Sequence, residues 1–142
     1  MLRDKSCGAV VYKYIGDNIY VLLVKHNAGH WSFPKGGVNH SEEEVETAIR
    51  EIKEETNLDV AIDSNFRFVN TYSYKNTLGK DVFKDVIYFV GCPLSDNLVA
   101  QVSELSDVKW YKVDDAYNVI TYDSDMEVLR KAIEYITYEE KN

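Results

Sequence analysis

Seven glutamates fall between residues 42 and 55, against two cations, Arg50 and Lys53. They follow a glycine pair, Gly36 and Gly37, in the run GGVNHSEEEVETAIREIKEETNL from Gly36 to Leu58. Carboxylates at i, i+3 and i+4 on a helix project to one side, so Glu51, Glu54 and Glu55 can work together. Glu44 falls near the same line. Such a helix is poorly arranged for stability alone: like charges at i,i+4 each cost about 0.2–0.5 kcal/mol, and carboxylates late in a helix oppose its dipole. Divalent cations, which prefer oxygen ligands, would relieve that repulsion. The chemistry this suggests is the binding of a divalent metal ion.

The elements that must hold these groups can be read around them. Ser41 followed by Glu44 has the spacing of a capping box and predicts the helix start. Val45, Ala48, Ile49, Ile52 and Thr56 recur at three- and four-residue intervals and predict the packed face. Asn57 stands where the chain leaves the helix; asparagine is the residue after glycine that best tolerates the left-handed exit. Residues 6–14 and 19–25 read as strands joined by a turn at Gly16-Asp17-Asn18, and 66–74 and 82–91 as strands joined at Asn76–Lys80. The continuous apolar run VIYFV at 86–90 predicts a central strand. Residues 26–35 read as a loop and 107–112 as a last strand. Ser124 and Glu127 have capping-box spacing before a C-terminal helix whose buried stripe is Met126, Leu129, Ile133 and Ile136. Strands with helices at two places predict an α+β chain with a mixed sheet covered on both faces.

Composition narrows the class. The chain has 142 residues, 45% of them hydrophobic and 13% aromatic, enough for one domain over 1–142 with a real core. No apolar run is long enough to span a bilayer, and MLRDKSCGAVVY lacks a signal peptide's pattern, so a cytoplasmic protein with no membrane partner is expected. Cys7 and Cys92 show no metal-ligand or redox spacing and read as reduced thiols. A net charge of −8 argues against a protein that grips nucleic acid through its backbone.

Gly36, Glu42, Arg50, Glu51, Ile52, Glu54, Glu55 and Leu58 fit the pattern G-x5-E-x7-R-E-U-x-E-E-x-G-U, with U a bulky aliphatic and Asn57 in place of the second glycine. This resembles the box of the Nudix hydrolases. HWSFPKGGV (30–38), KSCGAVVY (5–12) and SELSDVKW (103–110) look further like the asymmetrical diadenosine tetraphosphate hydrolases, and the likeness runs from Lys5 to Ile136. At positions 39 to 41 the usual glutamate, proline and glycine are replaced by Asn39, His40 and Ser41, and Gly37 replaces a common histidine.

The resemblance implies an α/β/α sandwich and magnesium or manganese as cofactor. It implies Glu51, Glu54, Glu55 and Glu104 as metal ligands, with Arg50 fixing their geometry, Glu42 stabilising the loop, and Glu51 or Glu104 taking the proton of the attacking water. It implies a small-molecule nucleotide as partner, bound through Gly36, His30, Lys35, Lys80 and Lys84 at the phosphates and Tyr74 and Tyr122 at the base. Trp31, Phe33 and Trp110 are expected to anchor the core or loops. The expected reaction is hydrolysis of diadenosine tetraphosphate or a related nucleoside polyphosphate, giving ATP and AMP from the former. The alternatives are an RNA 5′-pyrophosphohydrolase, the one case in which nucleic acid would be a partner, and a Nudix-fold sensor that binds nucleotide without cutting it.

Overall fold

Along the first strand, Cys7, Ala9 and Val11 join one buried cluster and Val10 the other; along the sixth, Ile87 and Phe89 oppose Val86, Tyr88 and Val90. This period of two, with both faces apolar, is what a strand needs when helices cover both sides. The computed structural model describes residues 2–100 and 103–141. It contains β1 (Leu2–Ile15), β2 (Asn18–His26), β3 (Trp31–Ser32), β4 (Lys35–Gly37), α1 (Glu44–Thr56), β5 (Val60–Lys75), β6 (Asp81–Pro93), β7 (Leu105–Lys112), α2 (Val113–Val119) and α3 (Asp123–Lys141).

The sheet has the order β3-β2-β1-β6-β5, with β4 also on β1 and β7 also on β2. The β1–β6 pair is parallel, and its other pairs are antiparallel, so the sheet is mixed. VIYFV lies centrally, between β1 and β5, with all five residues at or below 2% exposure. On one face Ala48 and Ile52 of α1 meet Ala9, Val11, Ile87 and Phe89; on the other, Val128, Leu129, Ala132 and Ile136 of α3 meet Val10, Val86, Tyr88 and Val90. The result is the α/β/α sandwich expected. Each fully buried Val, Leu, Ile or Phe contributes about 1.5–3 kcal/mol.

Several local expectations are corrected. The N-cap of α1 is Glu43, not Ser41; the Glu43 N–H donates to Glu46 Oε1 at 3.1 Å, and Ser41 takes a positive φ of 66° in the preceding turn. Ile49 is 39% exposed, and Thr47 and Glu55 are buried instead. Ser124 lies inside the first turn of α3, which starts at Asp123, so it does not cap that helix. The 26–35 segment includes β3, where Trp31 and Ser32 pair with Lys25 and Val24 of β2. Helix α2 was not expected; its seven residues carry Ala116 into the core. Asn57 does end α1 in the left-handed conformation, φ 68°, and its N–H reaches Lys53 O at 2.9 Å. Cys7 is buried but Cys92 is only partly so; both are free.

Candidate functional site

Two of the chain's glycines explain how the loop before α1 comes to lie against the helix. A Cβ on Gly8 of β1 would overlap the carbonyl of Pro34, and one on Gly36 would overlap the carboxylate of Glu51. Hydrogen at both positions lets β4 press between β1 and α1. The Lys35 N–H then donates to Glu55 Oε1 at 2.9 Å, fastening the loop to the glutamate helix.

Arg50 organises the carboxylates. Its Nε and Nη2 donate to the two oxygens of Glu42 at 2.7 and 3.0 Å, and its Nη1 donates to Glu51 at 2.8 Å and Glu54 at 3.1 Å. Its Nη2 also holds the Gly37 carbonyl at 2.8 Å. Glu42 further accepts from Thr47 Oγ1 at 2.6 Å and from the Asn39 N–H at 3.1 Å. The Arg50 bonds, with Thr47 next, hold the Glu42 carboxyl down at about 2. Glu42 is thus bound into the turn. Glu44 leaves the line of carboxylates: it pairs with Arg67 at 2.8 Å and Lys5 at 2.9 Å.

Glu51 and Glu55 differ from these. Burial pushes Glu55 up to about 7, with the nearby Glu51 adding to the rise and the Lys35 N–H opposing it. Burial also raises Glu51, while Arg50 pulls it back. Glu104 lies on the loop before β7, where its carbonyl accepts the Asn27 N–H at 2.8 Å, and its charge also raises Glu55. Among the described residues no three His, Cys, Asp or Glu side chains enclose a cation as they stand, because Glu51 and Glu54 are turned onto Arg50. The donor set nevertheless suits a hard divalent ion: carboxylate oxygens whose ionisation is opposed by burial and by one another gain most from a cation.

Next to Lys35 opens a cavity of about 360 Å³, lined by His30, Lys35, Tyr72, Tyr88, Tyr122 and Asp125 among others. Val86, Tyr88 and Asp125 form its buried floor, whereas Tyr72 and Tyr122 are 48% and 51% exposed at its rim. His30 is set by its neighbours: His26 stacks on it at 4.1 Å with 12° between the rings, and Tyr122 is tilted at 5.6 Å. His26 contacts Ser32 Oγ at 3.3 Å, and burial, then His30, lowers it to about 4. Burial lowers Lys35, and the charge of Lys84 lowers it further.

His30, Lys35, Gly36 and Tyr122 therefore meet beside Glu51, Glu54 and Glu55. Lys84 is not in the cavity wall, but it lies across from Tyr72 in the β5–β6 register and acts on Lys35. Lys80 stays in the turn between β5 and β6, its N–H on Asn76 Oδ1 at 3.0 Å, and lines no part of the cavity. Tyr72, rather than Tyr74, lines the cavity; Tyr74 packs on Tyr72 at 6.4 Å and its hydroxyl reaches Asp4 at 3.5 Å. Phe33 is fully buried, Trp31 packs edge-on to Tyr111, and Trp110 carries Lys13 over its ring, as anchors would. Sequence reasoning missed Tyr72, Tyr88 and Asp125. The two-residue period from Tyr74 pointed to Tyr72, and the i,i+3 spacing from Tyr122 pointed to Asp125.

A glycine turn pressed on an arginine-braced glutamate helix, under a mixed sheet sandwiched by helices, defines the NUDIX domain. The NUDIX domain family model matches residues 3–133, and the chain belongs to that family. Within it the chain is similar to the bis(5′-nucleosyl)-tetraphosphatase (asymmetrical) of Caenorhabditis elegans, at 31% identity over 132 residues, covering 89% of this chain and 92% of that protein. The crystal structure of a C. elegans Ap4A hydrolase binary complex matches with a TM-score of 0.79 at 29% identity, covering 94% of this chain and 98% of that one. The NUDIX domain of Shewanella oneidensis NrtR complexed with ADP ribose shares the fold, with a TM-score of 0.73 at 19% identity over 96% of this chain and 90% of that one.

Proposed function

We propose that this chain is a metal-dependent pyrophosphohydrolase that cleaves diadenosine tetraphosphate or a related nucleoside polyphosphate, giving ATP and AMP from the former. The observation that carries the reading is the Lys35–Glu55 hydrogen bond of 2.9 Å, which joins a nucleoside-sized cavity to the glutamate helix. The similarity to a C. elegans tetraphosphatase along nearly its whole length supports the same substrate class.

Glu51, Glu54, Glu55 and Glu104 are the residues that would hold Mg2+ or Mn2+, and the ion when bound supplies charge neutralisation and an acidified water. The chain's own groups do the rest. Arg50 fixes Glu51 and Glu54 through charge-assisted hydrogen bonds, so their oxygens are oriented before substrate arrives. Gly36, with no Cβ, lets the Glu51 carboxylate lie directly against the loop backbone. Lys35, Lys84 and His30 neutralise or donate to phosphate oxygens as negative charge shifts to the leaving group. Glu51 or Glu104 accepts the proton of the attacking water at a carboxylate oxygen. Tyr72 and Tyr122 offer aromatic faces to the base, worth about 1–3 kcal/mol per stacked base.

The test is a panel of nucleoside polyphosphates and dinucleoside polyphosphates with Mg2+, the products identified by chromatography. ATP and AMP from diadenosine tetraphosphate, with no turnover in EDTA, is the expected outcome. Preferred release of pyrophosphate from triphosphorylated RNA would refute the substrate class, and tight binding without any product would refute the reaction.

A further inference from the structure

Asp125 has no place in the chemistry above, yet among the described residues it is the one acidic side chain in the cavity wall. It projects from the first turn of α3 and is only 6% exposed. One of its oxygens, Oδ1, accepts the Tyr88 hydroxyl at 3.2 Å, its only side-chain hydrogen bond among the described residues. Tyr88 is itself 1% exposed, so its hydroxyl proton is committed to Asp125 and it offers the cavity only a lone pair. The buried end of the cavity is therefore rich in acceptors. Asn70 in the wall donates an amide N–H to the carbonyl of Ser124, another lining residue, at 3.3 Å. The cavity's charged donor, Lys35, comes from the loop bonded to α1, and its charge and that of Asp125 act on each other across the cavity.

A carboxylate at the floor of an anion-binding protein's cavity repels phosphate and offers its remaining lone pairs to a donor that reaches it. We infer that Asp125 is a specificity-determining residue: its carboxylate receives an N–H or O–H of the nucleoside part of the substrate and turns the polyphosphate toward Lys35 and α1. Two groups carry that donor chemistry, the exocyclic amino group of a base such as adenine and the hydroxyls of the ribose. A phosphate carries none. This rests on the nucleotide reading above and adds to it which end of the substrate enters and what is read there.

The inference is tested by calorimetric titration in EDTA, so that it does not depend on hydrolysis. The native protein is titrated with adenosine 5′-monophosphate, inosine 5′-monophosphate (amino group absent), 2′,3′-dideoxyadenosine 5′-monophosphate (hydroxyls absent) and inorganic triphosphate. Loss of a hydrogen bond to a charged acceptor should weaken one of the two analogues by about tenfold or more, and the analogue that weakens identifies the group read. In Asp125→Asn, which keeps the shape, that gap should shrink to about threefold or less while inorganic triphosphate binds more tightly. The native comparison alone decides the matter should the variant not fold. Equal affinity of the native protein for all three nucleotides, or no binding of adenosine 5′-monophosphate, overturns the inference. So does an Asp125→Asn protein weakened equally toward every nucleotide with triphosphate unchanged, which would mark a packing role. A protein that hydrolyses its substrate yet shows no donor preference refutes only this inference; one that shows the preference but no hydrolysis refutes only the reaction.

Discussion

Glu55→Gln should make the metal-free protein more stable, and by an amount that depends on pH. Glu55 is 8% exposed, and burial lifts its carboxyl from an ordinary 4.5 to about 7. Below pH 4.5 the group is protonated in the folded and unfolded chain alike and contributes nothing. As pH rises toward 7 the unfolded chain releases its proton and the folded protein does not, so stability falls. Above 7 the folded protein carries the whole cost of a buried charge, about 3 kcal/mol at ~1.4 kcal/mol per tenfold change in proton affinity. Glutamine resembles the protonated acid and can still accept the Lys35 N–H. Urea unfolding of the native and Gln proteins in EDTA, from pH 4.5 to 8.5, reports chiefly on this group, because titrations distant from it are common to both. The difference should be near zero at the acid end and approach about 3 kcal/mol in favour of Gln at the alkaline end. Mg2+ should then stabilise the native protein at pH 8 and do so much less for the variant. A difference that is flat with pH, or one that favours glutamate in EDTA, refutes the reasoning.

Three further outcomes follow from the same geometry. Glu54 is 50% exposed at its side chain, so Glu54→Gln should leave urea stability within about 0.5 kcal/mol while Mg2+-dependent turnover disappears; retained turnover would remove Glu54 from the metal set. Gly36→Ala places a methyl where the Glu51 carboxylate lies and should lower kcat roughly a hundredfold, the scale expected for about 1 Å of misplacement; an unchanged kcat would show that Glu51 is not held by this turn. Tyr122→Ala should raise KM for a dinucleoside polyphosphate about tenfold or more with little change in kcat; a fall in kcat at constant KM would argue against base stacking.

The segments legible from sequence were those whose pattern and partners are local or repeated. The apolar run VIYFV announces a strand covered on both faces, and Glu42 to Leu58 announces helix, exit and charge together. Asn57 could be read as a helix exit because the left-handed conformation depends on one residue's own side chain. The cap of α1 was not legible in that way: Ser41 has the spacing of a capping residue, but Arg50, Thr47 and Asn39 hold Glu42 in the turn and the helix is capped at Glu43. Those bonds depend on the folded turn, not on spacing alone. The cavity shows the same limit. Tyr74 and Tyr72 point to one face of β5, and only the register with β6 and the position of α3 bring Tyr72 to the cavity and leave Tyr74 on Asp4. Asp125 required Tyr88 from another layer before it could be distinguished from any acidic residue that begins a helix.

The parallel pairing of β1 with β6, and the antiparallel pairing of β2 with β7, also dictate when this protein can fold. Beyond their local partners in β4, β1 and β3, residues Leu2 to Val11 pair with Val82 to Gly91, and Tyr20 to His26 with Leu105 to Lys112. Loop-closure entropy must be overcome before such distant pairings stabilise anything, which places refolding in the slow part of the range, about milliseconds to seconds. On the ribosome the β1–β2 hairpin and the glutamate helix emerge well before the strands that cover them. A long, apolar β1 with one open edge is then the segment most exposed to wrong pairing, and its protection falls to chaperones or to the speed with which β6 is delivered.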